Sequence, residues 1–130
     1  MEIWDIGHSN RSFDNFLNIL RKNNIELLVD VRRFPGSKKF PHFNRDFLQS
    51  ELPKHGIEYT WQGEKLGGFR KGGYEKWLET EEFSKGIAVL EKEASNKRTA
   101  IMCAEGYFKR CHRRYIIEIL ENKDWQVIHL

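Results

Sequence analysis

Five short apolar runs, separated by segments of helical periodicity, constrain this chain more than any other feature. Glu2-Ile-Trp-Asp-Ile6, Ile25-Glu-Leu-Leu-Val-Asp-Val31, Ile57-Glu-Tyr-Thr-Trp61, Thr99-Ala-Ile-Met102 and Trp125-Gln-Val-Ile-His-Leu130 read as strands. After the first, Ser12 is placed to cap a helix, with Asp14 in its first turn. Phe13, Phe16, Leu17 and Leu20 then recur at i, i+3, i+4 and i+7, one face of an amphipathic helix that Asn23-Asn24 ends. Asn44 is placed to cap a short helix carrying Phe47, Leu48 and Leu52, closed by Gly56. Tyr74, Trp77 and Leu78 begin further helix, and Phe83, Ile87 and Leu90 continue it behind a Thr80 cap. Residues 111–121 form the last helix. Arg33–Pro41 has prolines and a glycine that forbid regular helix, and the glycine-rich Gly63–Gly73 is expected to be a long loop.

Strand and helix alternate throughout, which implies a mostly parallel sheet with helices on both faces. The 130 residues suffice for one core. The expectation is a single α/β domain over residues 1–130, three-layered α-β-α and Rossmann-like. Right-handed crossovers leave few topologies. The order expected among them is 3-2-1-4-5, with a topological switch between the first and fourth strands. A ligand then binds beyond their carboxyl ends.

Composition narrows the function classes. At 39% hydrophobic and 13% aromatic the chain is not a disordered one. No apolar run approaches the ~18 residues of a membrane span, and the first residues lack the basic and apolar regions of a signal peptide. A soluble, cytoplasmic protein without a membrane partner is expected. Cys103 and Cys111 fall in one turn, where a structural disulfide is not expected for such a compartment. The net charge of +3 is unevenly spread. Residues 31–45 hold five Lys/Arg and no acid, Lys109, Arg110, Arg113 and Arg114 cluster, and residues 75–93 are mostly acidic. A modest total therefore hides a positive face.

Four loops converge on the carboxyl edge and hold every unusual polar residue. In the first, Gly7 allows backbone amides to approach a ligand, Ser9 precedes a helix N-terminus, and His8 titrates near neutrality as a general acid or base would. In the second, Asp30 ends an apolar strand, and strand alternation puts Arg32 on the same face. Arg32 suits bidentate recognition of phosphate or carboxylate. The structural alternative is an Asp–Arg pair that staples the loop. Ser37 follows. Lys38, Lys39, His42 and Arg45, interleaved with Phe34, Phe40 and Phe43, form the basic–aromatic mixture that single-stranded nucleic acid uses. The alternative is that these phenylalanines anchor the loop. The third loop carries Gly67 and Gly68 and matches no phosphate-cradling motif, but suits a lid.

The fourth loop, Cys103-Ala-Glu-Gly-Tyr-Phe-Lys-Arg-Cys-His-Arg-Arg114, crowds two thiols, a carboxylate, an imidazole and four cations between strand and helix. A cysteine at a strand end near arginines is a nucleophile candidate, and Glu105 competes as nucleophile or base. Cys103, Cys111, His112 and His8 could form a zinc site, although Cys-x7-Cys-His is not a standard ligand spacing. A packed helix start is the structural alternative for Cys111 and His112. Arg113 lies in a first helical turn, where the dipole disfavours a cation, so an anion or acid is expected beside it.

Ile6-Gly-His-Ser9, Asp30-Val-Arg32 with Pro35 and Ser37, Phe43-Asn44, Leu66-Gly-Gly68, Cys103-Ala-Glu105 and Cys111-His-Arg113 together resemble the DUF488 family along essentially the whole chain. The resemblance implies a small α/β domain and marks these positions as its motif. It supplies no substrate, because that family is named for its unknown function.

The leading expectation is an enzyme acting on a phosphorylated or otherwise anionic substrate, a nucleotide or nucleic acid component. Gly7, Ser9, Asp30, Arg32, Ser37, Gly67, Gly68, His112 and Arg113 would form the anion site. Cys103 or Glu105 would be nucleophile or base, and His8 or His112 would shuttle protons. No cofactor or metal is required. The alternatives are a non-catalytic nucleic-acid-binding module and a thiol- or metal-dependent protein.

Overall fold

The computed structural model describes all 130 residues. Five strands, β1 (Glu2–Gly7), β2 (Leu27–Asp30), β3 (Glu58–Trp61), β4 (Thr99–Cys103) and β5 (Gln126–His129), form one all-parallel sheet. The helices are α1 (Phe13–Lys22), α2 (Arg45–Glu51), α3 (Gly63–Leu66), α4 (Tyr74–Trp77), α5 (Glu81–Asn96) and α6 (Arg113–Asn122). Short 3-10 turns cover Pro41–Phe43, Leu52–His55 and Phe108–Arg110.

The local signals behave as their chemistry dictates. Ser12 accepts a hydrogen bond from Asn15 N–H, and Thr80 from Phe83 N–H, so both cap their helices. Gly56 ends the α2 region with φ of 78°, a left-handed conformation that glycine adopts without a Cβ clash. Asn44 flanks α2 but does not cap it; its Oδ1 accepts from Ser37 N–H at 2.6 Å and closes the basic loop instead. Nor is Gly63–Gly73 loop throughout, since it opens with α3. Leu66 supplies the reason: it is fully buried in the core beside Phe83 and Ile87, and one helical turn carries it there.

The strand order is 3-2-4-1-5, not 3-2-1-4-5. β4 pairs with β2 on one side and β1 on the other. All five β4 residues are buried, whereas β1 begins with exposed Glu2. The middle of the sheet goes to a strand buried over its whole length, Thr99–Cys103, and β1 with its exposed first residue lies one place nearer the edge. Both orders obey right-handed crossovers, so connectivity alone does not choose between them.

The layers fix where a ligand can enter. α1 and α2 pack on one face, through Phe16, Leu20, Leu48 and the fully buried Phe43. α5 and α6 pack on the other, through Ile87, Leu90, Ile116 and Leu120. The loop after β4 therefore leaves toward one face, and the loops after its neighbours β1 and β2 leave toward the opposite face. The chain parts at the carboxyl edge on both sides of β4, which doubles the expected crevice. No helix is long and apolar enough to cross a membrane.

Candidate active site

Two clefts open at that edge. The first, about 390 Å³, is lined by Arg32, Arg33, Phe34, Gly68, Phe69, Tyr74, Cys103, Ala104, Glu105, Arg110, Cys111 and His112. The second, about 420 Å³, includes His8, Ser9, Ser37, Phe40 and Gly106. Arg32, Phe34, Ala104 and Glu105 line both, so Arg32 stands in the wall between them.

Arg32 is held on nearly every side. Its Nε donates to Asp30 Oδ1 at 2.8 Å and its Nη2 to Asp30 Oδ2 at 2.7 Å. Nη2 also donates to the Phe43 carbonyl at 2.7 Å, and Nη1 donates to His8 Nε2 at 3.3 Å. One Nη1 N–H remains without a protein partner. Burial alone would lower the pKa of this guanidinium, but the Asp30 bonds more than offset it. Asp30, fully buried, also accepts from Tyr59 O–H at 2.5 Å, and Trp61 Nε1 donates to the Arg32 carbonyl at 2.7 Å. Arg32 therefore staples its loop to Asp30 and the Phe43 carbonyl while keeping one N–H unused by the protein.

His8 supports Arg32 from the second cleft. Its Nδ1 lies 2.8 Å from the Ser9 carbonyl, which only accepts, so Nδ1 carries the proton and Nε2 is the acceptor. The ring stacks on Phe43 with centroids 4.5 Å apart. Burial, with the charges of Arg32 and His42, lowers its pKa to about 4 against the opposing Ser9 bond. His8 is thus neutral at pH 7 and faces Arg32.

The thiols occupy the first cleft. Cys111 Sγ–H donates to Cys103 Sγ, with the sulfurs 2.6 Å apart. This bond is the main force lowering the Cys103 pKa; burial opposes it, while the amides of Ala104 and Glu105 and the charge of Arg113 assist. Cys111 is raised, first because its proton is committed to Cys103 and then by burial. His112 lies beside them. Its Nε2 donates to the Val31 carbonyl at 2.8 Å, which leaves a lone pair on Nδ1, 3.5 Å from Cys111 Sγ. Burial is the main force lowering its pKa too.

Cys103, Cys111 and His112 present ligand atoms within 4.8 Å of one another. A tetrahedral zinc with bonds of ~2.3 Å to sulfur separates its two sulfurs by ~3.8 Å. At 2.6 Å these two stand closer to a shared bond than to a shared metal. His8, expected as a further ligand, is in the second cleft, beyond Arg32.

Several expected anion binders do other work. Arg113 is 1% exposed and lines neither cleft. Its Nε lies 2.6 Å from Asp5 Oδ1 as an ion pair, and Nη1 donates to the Ile6 carbonyl at 2.9 Å. The acid expected beside it is therefore a buried aspartate, which also pairs with His129. Gly7 lies under the fourth loop: a Cβ there would meet the Glu105 carbonyl oxygen at 1.7 Å. Its smallness lets that loop fold back, with His8 N–H and Ser9 N–H donating to the Cys103 and Ala104 carbonyls. Gly67 packs likewise against the Arg33 backbone. Gly68 does line the first cleft, against the His112 ring. Ser37 Oγ accepts from Lys39 and Phe40 N–H and so shapes its own loop at the edge of the second cleft. Glu105 is exposed on the ridge between the clefts, and its carboxylate makes no hydrogen bond or ion pair. Of Phe34, Phe40 and Phe43, Phe34 alone is exposed, at 67%.

Arg33 enters the site without having been singled out for it, whereas Cys111 was weighed there only as a zinc ligand or a packed helix start and Arg110 only within a cationic cluster; Phe69 also lines the cleft. Phe69 is 85% exposed with φ of 57°, an unusual conformation for a bulky residue. Arg70 fixes it there by donating to the carbonyls of Gly67 and Gly63 at 2.8 and 3.1 Å and to that of Glu64, while stacking on Trp77. Phe69 and Phe34 face each other across the mouth, centroids 5.9 Å apart. The adjacency Cys111-His112 was the available signal for the second thiol.

No curated protein and no solved structure matches this chain. The model of one family, described as a domain of unknown function, matches residues 12–120, and the chain belongs to that family, DUF488.

Proposed function

We propose that this protein is a thiol-dependent enzyme that acts on a phosphorylated substrate bearing a flat ring, of the nucleotide class. The observation that carries the reading is the meeting, in one cleft, of a thiol whose charged form its neighbours favour and a buried arginine with a donor to spare. Arg32 holds the anion, assisted by Arg33 and Arg110 at the rim. Its fork is oriented by Asp30, Phe43 and His8 before any ligand arrives, so little is lost in ordering it. Phe34 and Phe69, packed together and exposed at the mouth, offer a flat ring an aromatic surface to stack on. Cys103 rather than Glu105 is the nucleophile, because amides, a second thiol and a nearby arginine all favour its charged form. His112, not His8, is the proton acceptor at the thiols.

Alkylation by iodoacetamide with site-resolved mass spectrometry tests this, alongside melting temperature. Mononucleotides are expected to raise the melting temperature of the wild type and to slow alkylation of Cys103, by linkage and by shielding. Both effects are expected to vanish in Arg32→Lys, which keeps a charge but not the fork. Shielding that survives Arg32→Lys, or stabilisation by oligonucleotides without any by mononucleotides, would overturn the reading.

A further inference from the structure

We propose that Cys103 and Cys111 are a nucleophilic and a resolving thiol that together reduce a small disulfide by closing a bond between themselves. The inference rests on the reading of Cys103 as the reacting thiolate, and not on which anion Arg32 holds.

Three observations carry it. The sulfurs are already 2.6 Å apart, so they stand within about 0.6 Å of the ~2.05 Å bond. Both thiols line the first cleft, so a small molecule that reaches one reaches the other. Their surroundings are also unequal. Cys103 ends β4 and is buried, whereas Cys111 is half-buried and precedes α6 with its proton directed at Cys103 and His112 Nδ1 at 3.5 Å. That division suits sequential attack, with one sulfur ready and the other activated later.

The steps balance as follows. Cys103 thiolate attacks one sulfur of the small disulfide; its S–S bond breaks, and one half leaves as a thiolate. The other half is now bonded to Cys103. Cys111 gives its proton to His112 Nδ1, and the resulting thiolate attacks Cys103 Sγ. The Cys103–Cys111 bond forms, the second half leaves, and it takes the proton from His112. The protein pair is oxidised by two electrons, and the small disulfide is reduced to two thiols. A thiol reductant must reopen the bond before another turnover.

Oxidised glutathione is the probe, with acid quenching, blocking of free thiols and intact-mass measurement. The wild type is expected to end with Cys103 and Cys111 crosslinked, as peptide mapping shows directly, and with no adduct. Cys111→Ser is expected to stop with one glutathione on Cys103. Cys103→Ser is expected to stay unmodified over the same time. His112→Ala is expected to slow the closing step on the order of 100-fold, so that the glutathione adduct on Cys103 accumulates before the crosslink, as loss of a positioned base does. Wild type that keeps both thiols, that retains glutathione on either cysteine, or that crosslinks only once unfolded in urea overturns the proposal. So does wild type that takes up one zinc through both thiols and then resists oxidation. The wild-type mapping stands even if a variant fails to fold. The two readings fail separately: a Cys103 that iodoacetamide alkylates and nucleotides shield, but that oxidised glutathione leaves unmodified, removes the disulfide chemistry alone, and a crosslink without nucleotide binding removes the nucleotide alone.

Discussion

Arg32 and Arg113 are each buried beside an aspartate, Asp30 at the end of β2 and Asp5 within β1, yet only Arg32 lines a cleft. Arg32 sits on a loop, and its guanidinium ends between two openings in the carboxyl edge. Arg113 sits on α6 with Ile116, Ile117 and Leu120, the buried face of that helix, and is driven down onto β1. There Asp5 and the Ile6 carbonyl receive it. The same charged pair thus serves a site in one place and the core in the other. The backbone element that carries the arginine decides which.

The largest expected effect breaks the core pair. Arg113→Ala leaves Asp5 buried without its main partner, which costs about 3–5 kcal/mol, read as a lowered urea midpoint. The double change Asp5→Leu with Arg113→Met removes both charges and is expected to recover most of that loss. Nucleotides are expected still to stabilise the double variant. If Arg113→Ala instead keeps its urea midpoint and loses nucleotide binding, the roles assigned to the two arginines are reversed.

An intermediate effect separates the regions by pH. His8 touches Arg32, and its pKa falls from 6.5 in the unfolded chain to about 4 in the folded one. Between those values the unfolded chain binds the extra proton, so stability is full above about pH 6.5 and is lost as pH falls toward 4. His112 is lowered as well and adds to the loss on the acid side. The slope is at most about 1.4 kcal/mol per pH unit for each such histidine. His8→Asn is expected to flatten the acid limb of the urea midpoint plotted against pH. An unchanged limb would mean that His8 takes up its proton equally in the folded and the unfolded chain.

The contrast also shows what was readable before folding. Strand and helix identities followed from periodicity, and the two side-chain caps from Ser12 and Thr80, because those signals are local. The place of β4 between β2 and β1 was not local, since it depends on which strand takes the middle of the sheet. Arg113 shows the same limit. Its charge in a first helical turn suggested an anion, while its spacing with Ile116, Ile117 and Leu120 put it on the buried face. Periodicity was the stronger signal, because burial of a helix face is collective and a single charge can be paired within it. Cys103, Glu105, Arg32, Gly68 and His112 do share one cleft, as convergence of loops on the carboxyl edge implied. Cys111 joined them because three residues of 3-10 turn return the chain to Cys103, and no spacing rule encodes that return.

The smallest expected effect lies at Gly68, and it tests whether the first cleft is as finely set as the core beneath Gly7. At Gly7 an added methyl meets backbone at 1.7 Å, which nothing nearby can relieve. At Gly68 it meets His112 Nδ1 at 3.2 Å, and the φ there is one that alanine adopts. Alanine also restricts the unfolded chain, worth about 0.4–1 kcal/mol in favour of folding. The crowding opposes this by a similar amount, so Gly68→Ala is expected to keep its urea midpoint within about 1 kcal/mol of wild type. The imidazole, held at Nε2 by the Val31 carbonyl, yields by turning about that bond, and the turn displaces Nδ1 from Cys111. Closure of the Cys103–Cys111 bond in oxidised glutathione is therefore expected to slow, while the first attack by Cys103 keeps its rate. Equal slowing of both steps would place the damage at the cleft mouth. Slowing of neither would show that the ring has room to spare, and that the position of His112 Nδ1 does not govern the second thiol.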